Sequence, residues 1–375
     1  MKILLTGGGT GGHFYPIIAI TESLREICKE RKLLDPHLTF FAPDPYNEKM
    51  LFDHQIYYEK VSAGKRRTYS SFLNFLDVFK TGWGAVVALW KVFWLYPDVI
   101  FSKGGYGSFP IVLAGKILGI PIVIHESDSY PGRVNLWAGK FARRIAISYP
   151  EAKQFFPSDK VAWTGNPVRK EVALTSEQGA REYLGLEIGV PVILVLGGSQ
   201  GAKIINDAII EAIPELVKKY QVIHQTGKDH YVETKNIADV VLDTSEFKKR
   251  YHAFEYLDDL AMRMSAGAAN LIISRAGSTL FEISLWGVPS IVIPITNSNG
   301  NHQYKNAYTY ARAGAGLVIE EANLNNAILL AEIEKIMNDA NLQASMKQHA
   351  TAFAKPRAAH TIAEEIINTA LQHEK

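Results

Sequence analysis

Residues 3–14, ILLTGGGTGGHF, and residues 192–203, VILVLGGSQGAK, decide the fold. Each is an apolar run that breaks into glycines and then into a helical pattern, as happens where a parallel strand passes to a helix across a ligand-binding loop. The likeness continues along both halves. After Lys103 and Gly105 a helical stretch leads to Gly119-Ile120-Pro121 and a further strand; after Arg275 and Gly277 another leads to Gly287-Val288-Pro289 and a strand. Runs such as KILLT, LTFFA, DVIFS and IPIVIHE alternate with helical patterns in the first half. PVILVLGG, QVIHQTG, NLIISR and PSIVIPI do the same in the second. Such alternation predicts an α/β chain with parallel sheets: two Rossmann-like domains facing a cleft, with ligands at the C-terminal ends of the strands. The turn and proline of WTGNPVRKEV place the boundary near Asn166, giving a first domain of residues 1–165 and a second of 166–356. The last helix, 357–375, is placed to pack back on the first domain.

Composition sets outer limits. A chain of 375 residues has room for two cores, and 47% apolar with 21% charged residues excludes disordered and fibrous classes. A net charge of +2 argues against a nucleic-acid partner. The single cysteine, Cys28, lies in a helical pattern and is expected to be a buried thiol. MKILLTGGG runs from strand to glycines with no apolar signal region, so residence in the cytoplasm is expected. The stretch Trp83 to Tyr96 is interrupted by Lys91 and falls short of the about 20 apolar residues that a spanning helix needs. Lys65, Arg66 and Arg67 precede Phe72, Phe75, Trp83, Trp90, Phe93 and Trp94, and cations beside aromatics predict a segment that docks on a membrane surface. An ordinary core helix after a basic loop would explain part of this pattern.

Gly7, Gly9 and Gly12 satisfy G-x-G-x-x-G, which by itself points to a dinucleotide. That reading also wants an acidic residue at the end of the second strand, and Asp44 lies late and behind a proline. His13, in the first helical turn after the glycines, is a candidate general base, since imidazole titrates near neutrality. A histidine that merely packs is the alternative. Gly197 to Ala202 repeats the anion-cradling turn, and Arg275-Ala276-Gly277-Ser278-Thr279 opens a further helix with Glu282 one turn on, suited to a ribose diol. Gln303 and Asn306 complete a polar crescent fit for a hydroxyl-rich ligand. No G-x-x-x-x-G-K-[ST], zinc spacing or Asp-x-Asp pair is present in the sequence.

GGGTGGHFYP, SKGGYGSFP, HESDSYPG, GNPVR, GGSQGA, SRAGSTLFE and NHQYKNA occur in this order, and the chain resembles the MurG family of glycosyltransferases from about Lys2 to the last helix. The resemblance implies a GT-B fold and inverting, metal-free and cofactor-free transfer of GlcNAc from UDP-GlcNAc to lipid I, giving lipid II for peptidoglycan at the cytoplasmic face of the bacterial membrane. It places donor contacts on Thr10, Gly11, Gly12, Arg169, Ser199, Leu257 near the uracil, Ser278, Thr279, Glu282 at the ribose, and His302 and Gln303 at the sugar. It places acceptor contacts on Gly105 and Tyr106. Many family members read His-Glu-Gln-Asn where this chain has His125-Glu126-Ser127-Asp128, so a carboxylate stands at an amide position. His13 leads as base, with Glu126 and Asp128 behind it. A glycolipid synthase acting on diacylglycerol, an NAD(P) oxidoreductase and a nucleotide-sugar sensor are the competing readings.

Overall fold

The computed structural model describes residues 1–64, 72–198, 201–296 and 298–373. The chain divides into two compact units, Met1–Arg169 with Pro356–Lys375, and Lys170–Lys355.

In the first unit seven strands form one sheet: β1 (Lys2–Thr6), β2 (His37–Ala42), β3 (Tyr57–Lys60), β4 (Val99–Ser102), β5 (Ile122–Glu126), β6 (Arg144–Ile147) and β7 (Val161–Trp163). In the second there are six: β8 (Val192–Leu196), β9 (Gln221–Gln225), β10 (Tyr251–Phe254), β11 (Leu271–Ser274), β12 (Ser290–Val292) and β13 (Gly316–Val318). The sheet orders are β3-β2-β1-β4-β5-β6-β7 and β10-β9-β8-β11-β12-β13, and every pairing is parallel. Both sheets therefore reverse their winding at the first strand, between β1 and β4 and between β8 and β11, where doubly wound sheets hold ligands. The internal repeat in the sequence is thus a repeat of topology.

Burial explains which strands were legible. β1, β4, β5, β8, β9 and β11 are sealed on both faces by helices and so read as unbroken apolar runs. On one face of the first sheet the Gly11–Glu30 helix packs with the Ala358–His373 helix, through Ile17, Leu24, Ile362, Ile366 and Ile367. Arg31 pairs with Glu364, and Arg144 with Glu365 at 2.8 Å, along the rim. The C-terminal helix does pack back on the first unit. The other face is covered by the Phe72–Leu95 and Phe109–Leu118 helices, with Ala88, Val92, Ile111 and Val112 in the core. Cys28 is buried, as expected of an inert thiol, and burial raises its pKa.

Candidate active site

Register brings the glycine loops side by side. Thr6 pairs with Ser102 across β1 and β4, so Gly7 and Lys103 leave the sheet as neighbours. A Cβ at Gly105 would lie 2.8 Å from Gly8 Cα, closer than real side chains approach, and Gly105 holds φ at +81°. Only glycine lets the two loops meet there. The same absent side chain leaves space for His13, whose Nε2 lies 3.4 Å from that point, while Tyr106 extends over Gly9. His13 is half-buried, and its Nδ1 lies 2.8 Å from Thr10 Oγ1 at the start of the Gly11–Glu30 helix. The tautomer in which Nδ1–H donates to Thr10 Oγ1 would leave the basic lone pair on Nε2, on the Gly105 side.

The end of β5 is organised by Glu126. Its Oε1 accepts the Asp128 N–H at 2.9 Å, and its Oε2 accepts the Gly132 N–H at 3.0 Å and the Asn135 amide at 2.9 Å. Both oxygens thus hold the 126–135 loop. Burial first, then the nearby Asp128, pushes the Glu126 carboxyl up, against these donors. His125 is buried with Nε2 3.0 Å from the Gly165 carbonyl; burial, then the Lys103 charge, keeps its pKa well below the ordinary value, so it stays neutral. Asp128 is half-buried at the loop's turn. Arg169 lies with its guanidinium 4.4 Å from the centre of the Tyr15 ring, one turn along from the first glycine loop.

The second unit repeats the plan. Leu196 pairs with Ser274, so Gly197 and Arg275 leave β8 and β11 as neighbours. Arg275 is bound on two sides, to the Ile293 carbonyl at 3.1 Å and to Glu321 at 2.7 Å. Glu321 also accepts the Thr296 N–H at 2.8 Å and hydroxyl at 2.6 Å. Burial alone would push Glu321 up, but these donors outweigh it and hold the carboxyl below its usual range. Ser278 stands at the N-cap position of the Thr279–Trp286 helix without a side-chain capping hydrogen bond, and the helix carries half-buried Glu282. The His302–Arg312 helix begins at His302; Gln303 Oε1 accepts the Ile295 N–H at 3.2 Å, and Asn306 donates to the Ala276 carbonyl at 3.2 Å. Leu257 is buried, with its N–H held by Gln225 Oε1 at 3.0 Å, while Gln225 Nε2 reaches the Gly198 carbonyl at 3.3 Å. One side chain therefore ties the glycine turn to the Leu257 segment.

The N-terminal domain of glycosyltransferase family 28 matches residues 3–147, and the C-terminal domain of the same family matches residues 192–362. The chain belongs to glycosyltransferase family 28. It is 36% identical, over 99% of both chains, to the UDP-N-acetylglucosamine–N-acetylmuramyl-(pentapeptide) pyrophosphoryl-undecaprenol N-acetylglucosamine transferase of Halothermothrix orenii. Among solved structures it superposes on Acinetobacter baumannii MurG with a TM-score of 0.72 at 22% identity, covering 98% of this chain and 99% of that one. A putative UDP-N-acetylglucosamine 2-epimerase from Listeria monocytogenes gives 0.70 at 16%, covering 99% and 96%. At such identities the two structures share the fold with this chain.

Within the family 28 N-terminal domain, Thr10, Gly11, Gly12, His13, Gly105, Tyr106, Glu126 and Asp128 gather at the C-terminal ends of β1, β4 and β5. Within the C-terminal domain, Leu257, Ser278, Thr279, Glu282, His302 and Gln303 lie on segments that follow β10, β11 and β12. Ser199, Lys65, Arg66 and Arg67 lie outside the described residues, as do the side chains of Phe72 and Phe75. Sequence reasoning missed Gln225 and Glu321, because each acts through a partner distant in the chain, and Asn135, which reaches Glu126 across the same loop. The HQTG run at the end of β9 was the available signal for Gln225.

Proposed function

We propose that this family 28 enzyme transfers GlcNAc from UDP-GlcNAc to the lipid-linked muramyl acceptor, lipid I, with inversion, forming lipid II. The observation that carries the reading is the end-to-end identity with a relative of that name, through both family domains. Acceptor activation falls to the first unit and donor retention to the second. An acceptor hydroxyl attacks the anomeric carbon as the bond to UDP breaks, and His13 Nε2 takes its proton. Because Arg275 is committed to Glu321, the charge that develops on UDP is met by the N–H groups opening the Thr279–Trp286 helix and by Ser199. Glu282 holds the ribose, and His302 and Gln303 the sugar hydroxyls. The dinucleotide alternative loses its acidic residue: Asp44 Oδ1 accepts the Tyr46 N–H at 2.7 Å within its own turn.

The reading extends to the membrane. On the Phe72–Leu95 helix Trp83, Val86, Trp90, Phe93 and Trp94 are 55–69% exposed along one stripe, with Ile117 of the adjoining helix at 60%. Lys91 points away from that stripe, pairing with Glu59 at 2.6 Å. No helix among the described residues is long and apolar enough to cross a membrane. A stripe of this kind suits docking on the cytoplasmic leaflet from which a lipid-linked acceptor is drawn. The donor placement is tested by Glu282→Ala and Gln303→Ala, each expected to lose about 1–3 kcal/mol of transition-state binding. Wild-type kcat/KM for UDP-GlcNAc in both variants would remove it.

A further inference from the structure

Lys103 follows β4 beside the switch point, and it is 1% exposed. Its Nζ has no hydrogen-bond partner among the described residues. The backbone fixes it firmly: its N–H donates to the Thr6 carbonyl at 2.9 Å, and its Cβ lies 3.4 Å from where a Gly7 side chain would begin. Ser102 pairs with Ile124, so Lys103 lies level with His125 and one residue short of Glu126. Burying an ammonium costs several kcal/mol unless opposite charge compensates it. The carboxylates whose charge acts on it are Glu126, at the end of β5, and Asp128, in the loop beyond. The other titratable neighbours are His125 on β5 and, through it, His13 on the Gly11–Glu30 helix.

These groups cannot compensate one another without the lysine. His125 stays neutral, for the reasons given above. Glu126 spends both oxygens on the N–H groups of its own loop, a geometry that wants the ionised form. Asp128 then sets a second negative charge beside the first, and like charges at short range disfavour ionising both. Lys103 is the buried cation among these groups.

We propose that Lys103 is a positioning residue for the transfer: its ammonium is the internal counter-ion that lets Glu126 hold the 126–135 loop as a carboxylate with the Asp128 side chain close by. The inference rests on the acceptor-side reading of this cluster. Burial lowers the Lys103 amine to about 8, with Glu126 and Asp128 pulling it back up. The ammonium therefore persists near neutrality and is lost as pH rises past that value, so activity should decline on that alkaline limb.

The test uses the full-length protein and its variants Lys103→Met and Lys103→Met/Asp128→Asn, with carboxyl-labelled Asp and Glu followed by NMR titration beside pH profiles of kcat/KM. In Lys103→Met one carboxyl of the pair should titrate about one unit or more higher. The acid limb of the rate should move up with it, while KM for UDP-GlcNAc stays put. The double variant, which removes one charge of each sign, should return the Glu126 titration towards wild type; it also serves if the single variant does not fold. Carboxyl titrations in Lys103→Met that match wild type, or a Glu126 titration that is the same in the double variant and in a folded Asp128→Asn control, would decide against the counter-ion. Shifted titrations with an unmoved rate profile would instead overturn the acceptor-side reading on which the inference rests.

Discussion

Arg275 and Glu321 form a 2.7 Å ion pair with side chains only 14% and 16% exposed, joining the loop after β11 to the segment after β13. Because Glu321 also holds Thr296, the pair fixes the start of the segment that leads to His302 and Gln303. Breaking this half-buried pair removes a charge-assisted hydrogen bond and leaves Arg275 partly uncompensated. Glu321→Ala should therefore destabilise the protein by about 1–3 kcal/mol, read by denaturant unfolding, and raise KM for UDP-GlcNAc. An Arg275→Met/Glu321→Met double variant should recover stability relative to either single one, as a double-mutant cycle would report. Additive losses would show that the two side chains do not act as a pair.

His13 is the side chain to which proton transfer is assigned in the proposed reaction. His13→Ala should lower kcat by about 10²- to 10⁴-fold while UDP affinity stays near wild type. Thr10→Val, which keeps the imidazole but removes the hydroxyl 2.8 Å from Nδ1, should fall between the two. A near-normal rate in His13→Ala would return the residue to a packing role and move attention to Asp128.

How far the sequence carries can be judged at particular residues. Both central halves of the sheets were legible because β1, β4, β8 and β11 are buried on two faces and give unbroken apolar runs. The flanking strands were not: Tyr57–Lys60 and Tyr251–Phe254 are half-exposed edges that mix polar and aromatic residues, and Gly316–Val318 spans three residues. The repeat that aligned Lys103 with Arg275 was correct in topology, since each follows the strand at its switch point. Their partners were invisible, however. Nothing local marks that Glu321 would reach back to Arg275, or that Lys103 would be sealed beside Glu126. The exposed tryptophans posed the opposite difficulty, because an aromatic helix reads alike whether it faces a core or a membrane.

The proposed membrane docking is tested on that exposed stripe. Trp90→Ala/Phe93→Ala/Trp94→Ala should sediment poorly with anionic vesicles that carry down the wild type, while its circular dichroism stays unchanged. Binding by the wild type should weaken with salt, since each nearby basic residue contributes about 1 kcal/mol that screening removes. Equal sedimentation of the two proteins would rule the stripe out as the docking surface.

The central claim is the reaction itself. Incubating the protein with radiolabelled UDP-GlcNAc and a lipid I analogue, and resolving products by chromatography and NMR, tests it most directly. The account predicts acceptor-dependent release of UDP and a disaccharide product with one GlcNAc in the β configuration. Transfer to diacylglycerol in preference to lipid I, or conversion of UDP-GlcNAc to its 2-epimer without transfer, would contradict it.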